Sequence, residues 1–527
     1  MMMSEVMGQS ENSRHITTAD LSGGFANFAV ELGRLFDDED TGVRTPALQH
    51  QRGSGARKGT ANNRNVVIHP AQNDARFQQQ RQLGATQFII PSEIEGFGPQ
   101  NLSRFHGIRR LSRTPFRAPD DELLALRQTP AMADNATFTN ARVIFRDSIR
   151  ADVDVVVRNG KIVELRPPEL QSGDAIDLDG NFLAPGFVDL HVHGGAGHDV
   201  MEGNAQAFRT ICDFHASGGT TSLLLTTATA PFQEILFALT AIGKLRQEIP
   251  QIAGAHVEGP FISRDQAGAQ NPEFICEATP DLIACLLEHR DVIKRITIAP
   301  EITGALAAMK EFSAAGMVVS GGHSNAWEEE ARAAVENGMQ SVTHTFNCMS
   351  SARRRGSKRV AGLLELALTE PKICCELIAE EHHVSPALMK LIYCAKGVDG
   401  ITLVSDATAG AGLADETIFQ LAGRKCVVKN GACFLANKPL LAGSASRLIE
   451  LVRTMMRSAE LPLPEAIAMA SLNSARAAGL AGKGEIVLGN DADLVVLSPE
   501  LEVVQTYLAG SLLFQTDLRS PVARSQG

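Results

Sequence analysis

Hydrophobic positions divide the chain into three regimes. Residues 1 to about 130 are rich in Ser, Gln, Asn and Arg and show little sustained periodicity. From Ala136 onward β-branched residues alternate with polar ones, in Ala141-Arg-Val-Ile-Phe and then in Ala151-Asp-Val-Asp-Val-Val-Val-Arg-Asn-Gly-Lys-Ile-Val-Glu-Leu. The Asn159-Gly160 break between two alternating runs predicts a hairpin. Matching short strands are expected near the other end, over Gly484-Glu-Ile-Val, Ala492-Asp-Leu-Val-Val-Leu and Val503 to Gly510. Short strands at both ends, with nothing like them between, predict one small β domain assembled from both.

Between them the pattern changes to short apolar strands alternating with helical stretches. Strands are expected at Phe187 to Val192, Ser222 to Thr226, Ile252 to Val257, Ile296 to Pro300, Met317 to Ser320, Ser341 to His344, Ile373 to Ile378 and Ile401 to Ser405. Helices are expected over Asp281 to His289, Thr303 to Ala315, Trp327 to Asn337 and Pro386 to Ala395. About eight strand-then-helix units over roughly 300 residues form the pattern of an α/β (β/α)8 TIM-like barrel, whose active site lies at the C-terminal strand ends. The expected organisation is an N-terminal extension over 1–135, a small β-sandwich domain from 136–184 and 485–516, and a barrel over 185–484.

Composition separates the first regime from the rest. The chain carries 49 Lys+Arg against 60 Asp+Glu, a formal −11, which argues against a general nucleic-acid binder. Yet residues 44 to 119 hold twelve Lys or Arg against three acids. That basic, weakly apolar arm is expected to be largely disordered, with a short amphipathic helix over Phe25 to Phe36 and a strand at Gln87-Phe-Ile-Ile as exceptions. No apolar run of about 18 residues and no signal peptide is seen, so no membrane partner and a cytoplasmic location are expected. Nine cysteines without regular spacing indicate neither a disulfide framework nor a structural zinc site.

Chemistry gathers at the predicted strand tips. Asp189, His191 and His193 alternate onto one face of the first strand, and Gly194-Gly195 end it. Later tips carry His256-Val-Glu258-Gly-Pro, Gly322-His323-Ser-Asn-Ala, His344-Thr-Phe-Asn347 and Asp406-Ala-Thr. A lone histidine after an apolar run is usually an ordinary core residue. Five such tips in a barrel, however, converge on one pocket. Four of these histidines, His191, His193, His323 and His344, with the carboxylates Glu258 and Asp406, suit one or two divalent ions of the zinc type.

These segments, in this order and followed by Leu441-Ala-Gly-Ser, resemble the amidohydrolase superfamily, and within it the deacetylases of N-acetylglucosamine 6-phosphate. The resemblance runs from about Phe138 to about Phe514. It implies metal-dependent hydrolysis of the N-acetyl group of a phosphorylated amino sugar by metal-bound hydroxide, with Asp406 as general base and then general acid. It implies Glu258, His323 and His344 as one metal site, and His191 with His193 as ligands of a second ion bridged through Glu258. Ala269, Gln270, Asn347, Cys348, His383 and Leu441, Ala442, Gly443 and Ser444 are the implied sugar-phosphate contacts. One arginine of the 353–355 run, Arg355 by alignment, is expected at the phosphate. A homodimer is implied as well.

Two departures stand out. Relatives commonly carry histidine where this chain has Gln270, which can donate a hydrogen bond but cannot carry positive charge. Cys348 stands where alanine is usual. Two other readings therefore stay open: hydrolysis of another N-acyl amino sugar or N-acyl amino acid, and a silent relative acting as a binding protein, for which Gln270 is the sole support.

Overall fold

The computed structural model describes residues 135–168 and 175–516. The basic arm, with its expected helix and strand, lies outside them. Eight parallel strands form the central sheet: β1 (Phe187–Val192), β2 (Thr220–Thr227), β3 (Ile252–Glu258), β4 (Ile293–Ile298), β5 (Val318–Gly321), β6 (Met339–Val342), β7 (Cys374–Leu377) and β8 (Ile401–Leu403). They neighbour one another in sequence order. The chain after β8 returns to β1: the Asp406 amide donates to the His191 carbonyl at 2.9 Å and the His193 amide to the Ala407 carbonyl at 2.8 Å. These bonds close the barrel and set the tip of β1 directly beside Asp406.

Burial explains why these runs are strands. All eight residues of β2 and all six of β1 are buried, as parallel strands covered on both faces require. The helices between them are amphipathic. Ala205–Ala216 buries Phe208, Ile211 and Cys212 toward the barrel, and its first turn is satisfied by the Asn204 side chain accepting from the Ala207 amide at 2.9 Å. Leu448–Ala459 likewise buries Leu448, Leu451, Val452 and Met455, with Glu450 accepting from the Arg447 amide at 2.7 Å.

The end segments meet in a six-stranded sheet ordered Ser511–Gln515, Val503–Leu508, Leu494–Leu497, Phe182–Pro185, Arg142–Ile144, Ile149–Arg150. Opposite it lies a four-stranded sheet of Lys161–Arg166, Asp154–Arg158, Asn135–Thr139 and Ala175–Asp177. Phe138, Val155, Ile162, Leu183, Leu494 and Tyr507 fill the core between them. Phe138 and Tyr507 meet edge to face with ring centroids 5.0 Å apart. The predicted hairpin forms, with Arg158 opposite Lys161 and both turn residues left-handed, Asn159 at φ 50 and Gly160 at φ 73.

Two features differ from expectation. Gly484 to Val487 is not a strand: Gly484 turns at φ 81, and Ile486 drops into the small core instead of pairing along an edge. A further antiparallel sheet of Ile418–Leu421, Arg424–Lys429 and Ala432–Leu435 follows β8 inside the expected barrel span. Its alternating runs and Asn430-Gly431 turn carry the same signals as the first hairpin, and this sheet brings Leu421 to the pocket described below.

Candidate metal centre

At the C-terminal strand ends, the carboxylate of Glu258 of β3 sits among four histidines, Oε1 nearest His323, His344 and His191 and Oε2 nearest His193. Its Oε1 lies 3.2 Å from His323 Nε2 and 3.1 Å from His344 Nε2. Its Oε2 lies 3.0 Å from His193 Nε2, while His191 Nε2 is 3.3 Å from Oε1. Glu258 is 1% exposed. Asp406 Oδ1 stands 3.4 Å from Nε2 of both His191 and His193. Glu258 with His323 and His344, and Glu258 with His191 and His193, thus form two donor groups that share one carboxylate.

The far sides of the rings show which nitrogens face the centre with free lone pairs. His193 Nδ1 meets the Thr226 carbonyl at 3.2 Å, His323 Nδ1 the Gln266 carbonyl at 2.8 Å and His344 Nδ1 the Asn347 carbonyl at 3.1 Å. A carbonyl only accepts, so each Nδ1 holds the proton and each Nε2 turns a lone pair inward. These lone pairs crowd together: His191 and His193 Nε2 are 3.1 Å apart, as are His323 and His344 Nε2. Electron-rich atoms converging on a buried carboxylate fit a cation between them. Burial opposes charge on His191, yet Glu258 and Asp406 push its pKa well above the usual range, which marks a centre of negative potential that draws a positive charge, a proton or a metal ion. Burial alone would raise Glu258, but His191 and His323 hold it well below the ordinary carboxylate range.

The backbone at these tips is held out of the common regions. His323 has φ 46, His344 φ 31, Cys348 φ 48 and Asp406 φ 48. Left-handed conformations at non-glycine residues cost free energy and persist where the surrounding structure fixes them. Here hydrogen bonds do so. Glu301 accepts from the Ser324 hydroxyl at 2.8 Å and from the Asn325 amide at 2.5 Å, pinning the loop that presents His323.

A cleft of about 330 Å³ opens over the centre. Of the expected substrate contacts, Ala269, Gln270, Asn347, Cys348, His383, Leu441 and Gly443 line it together with Glu258, His323, His344 and Asp406. Ala442 and Ser444 alternate away and are fully buried, Ser444 donating to the Ser405 carbonyl. His383 is braced by Glu380.

Arg355 does not reach this cleft. It pairs with Glu329 at 2.5 Å and stacks on Trp327 at 4.0 Å, on a two-stranded ribbon formed by Arg353–Arg355 and Lys358–Val360. Arg353 also stacks on Trp327, 3.8 Å from the ring, and donates to the Asn325 carbonyl. One indole therefore packs against both cations, where the resemblance implied Arg355 at the phosphate. His256, at a predicted tip, is no part of the donor groups: it lies two residues deeper and meets Thr297 Oγ1 at 2.8 Å. Residues the sequence reading missed include Phe346, Ile378, Leu421, Pro439 and Leu440 in the cleft wall, and Gln270 proves more deeply engaged than expected. Gln270 accepts from the Thr229 amide at 2.6 Å and donates to Glu258 Oε2 at 2.5 Å.

Comparison with known proteins places this geometry. The amidohydrolase family profile matches residues 182–513. An N-acetylglucosamine-6-phosphate deacetylase of Lysinibacillus sphaericus is 32% identical over 385 residues, covering 72% of this chain and 97% of the relative. An N-acetylgalactosamine-6-phosphate deacetylase of Escherichia coli is 32% identical over 378 residues, covering 70% and 97%. A solved N-acetyl-D-glucosamine-6-phosphate deacetylase from Mycobacterium smegmatis, in complex with N-acetyl-D-glucosamine-6-phosphate, is 27% identical with a TM-score of 0.68, covering 72% of this chain and all of the other. With the family profile spanning the strands that carry both donor groups, the chain belongs to the amidohydrolase family.

Proposed function

We propose that the protein removes the acetyl group of N-acetylglucosamine 6-phosphate, giving glucosamine 6-phosphate and acetate, with Asp406 as general base and then general acid. The observation that carries the reading is the pair of donor groups sharing Glu258, with Asp406 3.4 Å from His191 and His193 at the floor of a sugar-sized cleft. The relatives named for this reaction support it. Glu258, His323 and His344 would hold one divalent ion and His191, His193 and Glu258 a second, and such an ion would supply a Lewis acid that lowers the pKa of water toward about 7.

The chain's own residues do the rest. Asp406 takes a proton from the attacking water as its oxygen bonds to the acetamide carbon, then delivers that proton to nitrogen as the C–N bond breaks. Gln270 has one carboxamide hydrogen committed to Glu258 and a second available for the acetamide oxygen. The amides near Asn347 and Cys348, with His383, Leu441 and Gly443, hold the sugar phosphate.

The reading extends to zinc as the ion, because imidazole nitrogens with one carboxylate suit it, to a homodimer, as the resemblance implies, and to a cytoplasmic setting. Metal analysis, light scattering and fractionation check these three. The substrate assignment is tested by steady-state acetate release from N-acetylglucosamine 6-phosphate against unphosphorylated N-acetylglucosamine. A clear preference for the phosphorylated sugar is expected; equal turnover of both would sink the assignment.

A further inference from the structure

Three of the four inward-facing imidazoles are oriented by a backbone carbonyl, and His191 is the exception. Its Nδ1 faces Glu376 Oε2 at 3.4 Å. Glu376 belongs to β7 and is fully buried. Its other oxygen forms a close ion pair with Arg295 Nε of β4 at 2.7 Å. Arg295 is itself 1% exposed and reaches Ser320 Oγ at 2.9 Å and Ser341 Oγ at 2.6 Å through Nη2. Ser320 meets Thr343 Oγ1 at 2.7 Å, and Thr343 meets Thr297 Oγ1 at 2.7 Å. A polar layer drawn from β4, β5, β6 and β7 therefore lies inside the barrel beneath the donor groups, and Glu376 is its point of contact with His191.

Replacing a buried ion pair with apolar residues is often neutral or stabilising, so stability alone is a weak reason for this pair. A reason lies in His191. An acceptor on the Nδ1 side fixes the proton there, leaves Nε2 as a lone pair toward Glu258 and His193, and holds the ring plane. We propose that Glu376, anchored by Arg295, is the positioning residue that makes the His191–His193–Glu258 group competent to hold an ion. Without it the ring is free to turn Nε2 out of line, while the Glu258–His323–His344 group, whose rings are set by Gln266 and Asn347, keeps its geometry. Glu376 also accepts the His344 backbone amide at 3.3 Å, but the His344 ring is oriented by its own bond to Asn347.

The proposal rests on the metal-dependent reading above. Its test needs no substrate, so either can fail alone. Chelator-stripped full-length protein is titrated with Zn²⁺ by calorimetry, with bound ion counted by atomic absorption. Wild-type protein is expected to take up two ions per chain. The double variant Arg295→Met with Glu376→Leu leaves no charge buried alone, and should weaken the second ion by about 10–100-fold while sparing the first. Glu376→Gln keeps an oxygen that can accept from Nδ1–H and should lose less. Unchanged melting of the ion-free double variant separates positioning from folding. Uptake of a single ion by the wild type, or two ions bound by the folded double variant with wild-type affinities, would overturn the proposal. Should the double variant fail to fold, wild-type second-ion affinity in Glu376→Ala, which removes the acceptor, does so.

Discussion

At the residue scale the centre works through atoms whose partners are specific. Asp406 touches both histidines of one donor group and lies in the cleft, so Asp406→Asn should lower kcat by about 10²–10⁴-fold while ion content stays at the wild-type level. Loss of ion with loss of rate would instead make Asp406 chiefly a ligand. Gln270 bridges the Thr229 amide and Glu258, both buried. Gln270→Ala strands a buried donor and should cost about 1–3 kcal/mol of stability, read by denaturant unfolding. The sequence showed Gln270 as a departure from a histidine pattern. It could not show that the glutamine spends one end on a backbone amide, since that contact joins chain segments far apart.

His215 gives a pH prediction. It is fully buried behind the turn after β1, where its Nε2 reaches the Gly194 carbonyl at 3.1 Å, and burial lowers its pKa from 6.5 to about 4. A depressed folded value means that the unfolded chain binds the extra proton first. Its contribution is therefore present above about pH 6.5 and lost as pH falls through about 4, amounting to roughly 3 kcal/mol at most. His215→Gln should flatten the fall in melting temperature between pH 7 and pH 4.5. An identical slope in variant and wild type would contradict the assignment.

At the scale of elements, the period-2 and parallel-strand signals placed every barrel strand, because strands buried on both faces announce themselves as continuous apolar runs. Their ends were harder to read. β6 stops at Val342, before His344, because the left-handed turn there is imposed by neighbouring strands and not by local composition. The same contrast appears in the basic run, where Arg355 was expected at the phosphate but packs with Arg353 against Trp327. The loop after the inserted sheet holds Asp406 closely: a Cβ on Gly443, at φ 64, would lie 2.6 Å from the Asp406 carbonyl oxygen and 2.5 Å from Thr408 Cγ2. Gly443→Ala should therefore displace Asp406 and lower kcat more than it lowers stability, as measured by comparing turnover with thermal unfolding. Turnover unchanged in a folded variant would show that the loop yields without moving the carboxylate.

At the scale of the whole molecule, strands from both ends of the amidohydrolase region pair in one sheet, Leu494–Leu497 lying antiparallel to Phe182–Pro185 immediately before β1. The end strands thus brace the segment that delivers His191 and His193. Ending the chain at residue 493 should expose the Phe138–Leu183 core and abolish cooperative unfolding, and a sharp unfolding transition retained by that shortened chain would contradict this. The repeating strand-helix pattern made the barrel legible in the sequence, and the tips made it a candidate centre. What the sequence could not carry was the layer beneath: Arg295, Ser320, Ser341 and Glu376 are separate residues in four strands until the barrel closes.

The central claim is that the two groups around Glu258 bind the ions that drive amide hydrolysis. The most direct measurement is acetate release from N-acetylglucosamine 6-phosphate before chelation, after chelation and after add-back of Zn²⁺, with bound ion counted at each stage. The account predicts that activity falls with the ion and returns with it, and that a Glu258→Gln variant regains neither. Full activity in protein shown to hold no ion would contradict it.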